Sequence, residues 1–165
     1  LLQLDDLRLE PKREGLDASL ATALYFTGQD REAEPLLAKL VVEEPVFASR
    51  WARQMHADCL VAMGRVNEAR TEYRALHQSA PEAVGPVLSL AKCDVLEDDF
   101  AAARERLEAV LAIQPKNVEA NALMGLALVN LDRKAEAVPY LRLALADETF
   151  AGRLAVRRLL TRAEK

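Results

Sequence analysis

An all-α fold, a solenoid of stacked antiparallel helical hairpins, follows from three observations. Four alanines, Ala33, Ala69, Ala103 and Ala137, recur at spacings of 36, 34 and 34 residues, and self-similarity at a fixed period of this length marks a repeat architecture. Each brings the same companions. A small residue stands twelve positions before it (Ala21, Ala57, Ala91, Gly125), and a large one four positions after it (Leu37, Tyr73, Leu107, Leu141). The composition agrees: 51% hydrophobic, 5% aromatic and six glycines among 165 residues suits helices packed through small side chains and suits sheets poorly.

The elements follow in chain order. Pro11 lies 34 residues before Pro45, so residues 1–13 read as the end of a truncated preceding unit, with a helix over Leu1 to Glu10. Four full units span 14–49, 50–83, 84–117 and 118–151. In each, a first helix (A) carries the early small residue and a second (B) carries the alanine of the register. Turn signals separate them: Gly28-Gln29-Asp30, Gly64-Arg65, Glu97-Asp98-Asp99 and Leu131-Asp132. Small residues let antiparallel helices approach closely, and the large apolar residue fills the space beside them. Pro45, Pro81 and Pro115 close three units, because the residue before a proline is pushed away from helical dihedrals. Thr149 breaks that series. Asn117 is placed to cap the next helix. Phe150 to Arg162 reads as a final capping helix, with an apolar face of Phe150, Leu154, Leu159 and Leu160 and with arginines suited to an exposed end. The whole is expected as one domain of about nine or ten helices.

This pattern resembles the tetratricopeptide repeat family: a small residue in helix A, a turn, a small residue in helix B, a large apolar residue one turn later, then proline. The resemblance implies a right-handed superhelix. Some positions depart from the family. Its first large helix A position falls on Asp17, Arg53, Val87 and Asn121. Asp94 stands where Leu24, Leu60 and Leu128 stand in the other units. Pro35 and Pro139 occupy equivalent places early in helix B.

Charge excludes some functions. The net charge is −4, and phosphate contacts need clustered positive charge, so no nucleic-acid partner is expected. The ends are polarised. Residues 1–49 hold five Lys/Arg and ten Asp/Glu, a net of −5. Residues 150–165 hold five Lys/Arg and one Glu, a net of +4. End-to-end self-association is therefore a candidate property. No run approaches the ~18 apolar residues that cross a bilayer, so membrane insertion is not expected.

Reactive groups do not converge, and the chain reads as no enzyme, without cofactor or metal. Cys59 and Cys93 hold the same position in consecutive units, with Ala23 and Ala127 in the others. A small core side chain is the plain reading, since points one repeat apart, about 10 Å, exceed disulfide reach. His56 falls on the apolar face of helix A beside Leu60 and reads as partly buried. Glu97-Asp98-Asp99 reads as a solvated turn, because three consecutive carboxylates cannot cage a cation.

In the family, helix A of each unit lines a concave surface that is the usual binding face. Helical phase at 100° per residue selects which side chains the resemblance sends there: Tyr25 and Phe26 in the first unit; Trp51, Gln54 and Asp58 in the second; Leu88, Lys92 and Leu96 in the third; Leu126 in the fourth. Val61, Val95 and Val129 share that face or pack within the stack. The carboxylate clamp of some relatives is missing: its lysine and asparagine places in the first unit are Ala18 and Thr22. The chain is thus expected to be a scaffold or adaptor that binds a partner helix or extended segment. The alternative is a regulatory or substrate-docking domain of a larger enzyme. The Ala-, Leu- and Arg-rich composition suggests a bacterial source.

Overall fold

The computed structural model describes residues 10–43 and 48–164, and the side chains of 16–42 and 50–164. Among these residues the chain is all-helical, as expected: α1 (Glu10–Phe26), α2 (Asp30–Glu43), α3 (Ala48–Ala62), α4 (Val66–Ser79), α5 (Val84–Leu96), α6 (Phe100–Ile113), α7 (Val118–Asn130), α8 (Lys134–Leu145) and α9 (Arg153–Ala163). Two compact units divide them, one ending at Leu76 and one beginning at His77.

The same turn joins A to B in all four repeats. Gly28, Gly64, Asp98 and Asp132 take φ of 73°, 77°, 59° and 59°. The next residue donates back over five positions: Gln29 to Leu24, Arg65 to Leu60, Asp99 to Asp94 and Arg133 to Leu128, with N···O distances of 2.8–2.9 Å. A left-handed residue followed by this bond is the usual way of satisfying a helix's last carbonyls. Glycine adopts it freely; aspartate is among the few other residues that tolerate it. Asn117 caps α7 as its position suggests, its Oδ1 accepting from Ala120 N at 2.9 Å, and Asp99 caps α6 through Ala102 N.

The register residues form the cores. In the first unit Ala21, Ala33, Leu37, Leu40, Ala52 and Cys59 pack together, with Ala57, Leu60, Ala69 and Tyr73 also buried. In the second, Ala91, Ala103, Leu107, Met124, Leu128, Ala137 and Leu141 form a continuous cluster that Val156 and Ala163 of α9 complete. Gly125 is glycine for a packing reason: a Cβ there would lie 2.3 Å from Leu141 Cδ2.

Three expectations shift. Pro11 does not close a helix but lies within α1; residues 1–9 and Pro45 lie outside the described residues. The last helix begins at Arg153 rather than Phe150; ahead of it Arg153 N donates to Phe150 O at 3.2 Å in a turn, and the Phe150 ring lies over Gly152, 2.6 Å from where a Cβ would stand. Pro35 and Pro139 are each the sixth residue of their helices, one turn further in than a cost-free site, so each removes one ladder hydrogen bond.

Candidate partner-binding faces

In the first unit four of the expected residues come together. Tyr25 ends α1 beside Phe26, their rings 5.2 Å apart in an edge-on arrangement at 74°. The Tyr25 hydroxyl donates to Asp58 Oδ2 at 2.9 Å, and Gln54 Nε2 donates to Asp58 Oδ1 at 3.0 Å. Tyr73 of α4 donates to the same Oδ1. Burial, and after it the Asp58 carboxylate, pushes the Tyr25 hydroxyl up to about 12. Asp58 thus ties α1, α3 and α4 together and is not a free charge. The two side chains left outward are Phe26, 73% exposed, and Trp51, 36% exposed. Trp51 precedes Gln54 by three residues and Asp58 by seven, so all three share a face of α3.

Sequence reasoning missed Tyr73, because nothing in its helix B position marks it as reaching across to helix A. His56 also sits in more polar surroundings than its phase implied. Its Nε2 lies 3.4 Å from Glu34 Oε1 and its Nδ1 3.9 Å from Glu72 Oε1, while Arg65 pairs with Glu34 and Arg53 with Glu72. Cys59 is fully buried and free. Burial, and then a hydrogen bond with Asp30, pushes its thiol up to about 12, which makes it a poor nucleophile. Cys93 is likewise fully buried.

In the second unit the helix A residues separate into floor and rim. Val129 and Ala122 belong to the core. Leu88 and Val95 are half-buried against it, and Leu126 is half-buried. Leu96 is exposed. Lys92 of α5 reaches Glu119 of α7 at 2.8 Å, so this cation is partly neutralised. Asp94, in a leucine's place, is 1% exposed and accepts from Arg106 Nε of α6 at 2.7 Å. Among the described residues no group of three or more His, Cys, Asp or Glu could hold a metal ion, and no helix is long and apolar enough to cross a membrane.

Residues 118–146 match the model of the tetratricopeptide repeat family. No curated protein matches the chain. Solved structures do. MamA from MSR-1 superposes with a TM-score of 0.71 at 20% identity, covering 92% of this chain and 84% of its own. TTC0263, a thermophilic tetratricopeptide repeat protein of Thermus thermophilus, gives 0.73 at 21%, covering 91% and 80%. A tetratricopeptide repeat protein from Parabacteroides merdae gives 0.74 at 15%, covering 93% and 60%. With one repeat matched by the family's model and the other three in register with it, the chain is built on the tetratricopeptide repeat fold.

Proposed function

We propose that this chain is a non-enzymatic protein-binding scaffold module that receives a partner's helix or extended segment on its helix A faces. The fold supports a protein-interaction role in general. The finer reading rests on one observation: Phe26 and Trp51 stand out to solvent beside a carboxylate network that rigidifies the backbone beneath them. Rigid aromatic anchors lose little entropy on binding, and binding hot spots favour tryptophan and tyrosine. Leu88, Leu96 and Leu126 offer the second unit's apolar counterpart, with Lys92 beside them. Tyr25, Gln54 and Asp58 act in this scheme as the support rather than as free contacts.

Burying an aromatic or leucine side chain contributes about 1.5–3 kcal/mol. Trp51→Ala is therefore expected to weaken partner binding at least tenfold, measured by titration calorimetry with the partner recovered from the native source. Asn67→Ala, in the first turn of α4, changes it little. Circular dichroism of each variant is run in parallel. Unfolding of Trp51→Ala, or unchanged affinity in a folded variant, removes the reading at that position.

A second reading, end-to-end self-association, is favoured by apolar side chains left exposed at oppositely charged ends: Leu16 and Leu20 on α1, and Leu154 beside Arg157 and Arg158 on α9. Light scattering across concentration and salt tests it; a monomer under all conditions rules it out.

A further inference from the structure

The second unit carries two open slots in the same place of consecutive repeats, on the side of the helix B elements. One has a volume of about 400 Å³ and the other about 360 Å³. Their linings correspond at a spacing of 34 residues: Pro81 with Pro115, Val87 with Asn121, Arg106 with Tyr140. Val87 and Asn121 hold one repeat position, the first large position of helix A. In the first unit that repeat position carries a charged side chain engaged by a helix B partner, Asp17 with Lys39 and Arg53 with Glu72. In the second unit it carries Val87 and Asn121, each of which lines one of the slots. Asn121 spends its Nδ2 on Pro115 O and Asn117 O, and its buried Oδ1 has no hydrogen-bond partner among the described residues. An occupant bearing an N–H suits that slot.

Helix α6 forms the ridge between the slots, and the exposed Ala109 and Ala112 keep that ridge low. Glu82, Glu105 and Glu108 are exposed around the mouths. Arg106 is committed to Asp94, and Arg104 lies 3.7 Å from Glu108; Lys116 stands at the outer edge of the second slot. Slots on either side of one helix are about 10 Å apart. On a helix, residues i and i+7 share a face and stand about 10.5 Å apart.

The geometry points to a second docking surface, on which a basic amphipathic helix of another protein straddles α6 and places two apolar side chains, seven residues apart, into the two slots. This surface is distinct from the helix A faces, and neither reading depends on the other.

The probe is a synthetic lysine- and alanine-based helical peptide carrying leucine at one position and tryptophan seven residues on. It is titrated against the full chain by fluorescence anisotropy at low salt. It binds at least tenfold tighter than peptides with either anchor replaced by alanine. Val87→Trp and Asn121→Trp, which fill the slots, each reduce binding to the single-anchor level. Ala109→Lys with Ala112→Lys, at exposed positions on the ridge, abolishes it even where a tryptophan variant does not fold. Glu105→Lys with Glu108→Lys weakens it at least fivefold. The proposal is overturned by equal binding of one- and two-anchor peptides, or by undiminished binding to the ridge variant. Concentration-dependent self-association of the chain that the ridge variant abolishes also overturns it, because the occupant is then a second copy.

Discussion

The Asp94–Arg106 pair predicts an asymmetry between two single substitutions. Asp94 is 1% exposed and its carboxylate meets Arg106 Nε at 2.7 Å, while the arginine side chain remains 35% accessible. Arg106→Met keeps the alkyl stem but takes the guanidinium partner from a carboxylate buried in the α5–α6 core. Breaking a buried pair from one side costs about 3–5 kcal/mol, and the lower end applies because solvent reaches the pair from the arginine side. Asp94→Leu does the opposite. It installs the side chain that the other repeats use at this position, where Leu60 and Leu128 are buried, and it leaves an arginine that can turn to water. Its cost is therefore within about 1 kcal/mol of zero, since replacing a buried ion by a packed apolar residue is often neutral. Urea unfolding followed by circular dichroism at 222 nm measures both, provided the denaturant slope is unchanged. The double variant recovers most of what Arg106→Met loses. Equal costs for the two single variants, or a loss below about 1 kcal/mol for Arg106→Met, would refute the reasoning.

Gly125→Ala places a Cβ 2.3 Å from Leu141 Cδ2; overpacking of this kind costs about 1–3 kcal/mol in a urea melt, and Leu141→Ala in the same chain relieves the clash. Gly64 and Gly85 separate two uses of glycine. Gly64→Ala, at φ 77°, loses about 1 kcal/mol, whereas Gly85→Ala, helical and with nothing within 4 Å of the new Cβ, gains about 0.5 kcal/mol. Alkaline stability is set in part by Tyr25 and Cys59. Both fold with values of about 12, raised from 10.0 and 9.0, so the native state holds protons that the unfolded chain releases. Their contribution is complete below pH 9 and is lost as pH rises from 9 through 12. Cys59→Ala, which matches Ala23 and Ala127 in the register, flattens the thiol's share of that loss in urea midpoints measured at pH 8, 10 and 11.

The repeat register was legible because each marker residue answers to a local demand. Ala33, Ala69, Ala103 and Ala137 are all fully buried where helices A and B meet, and the turn signals fall where the left-handed residue stands. Helix ends were less legible. Proline fixes its own φ without saying whether the helix ends before it, so Pro11, which reads as a stop, lies inside α1. The candidate site was legible by phase and not by partnership. Helical spacing puts Tyr25, Gln54 and Asp58 on one face, but only the fold brings Tyr73 across to share the carboxylate. Phase also could not separate Val129, in the core, from Leu126, half-buried three residues earlier. Asp94 carried a usable signal: an acid in a leucine series, with Arg106 twelve residues on, is the mark of a buried pair between A and B.

Trp51 is the chain's single tryptophan and lies 36% exposed on the proposed binding face, so its fluorescence reports on that face alone. The direct measurement is acrylamide quenching and emission wavelength of the full chain, titrated with its partner while complex formation is followed independently by sedimentation. Binding on the helix A face lowers the quenching constant and shifts the emission to the blue in proportion to the complex formed. A complex that forms to saturation with Trp51 quenched as in the free chain contradicts the account.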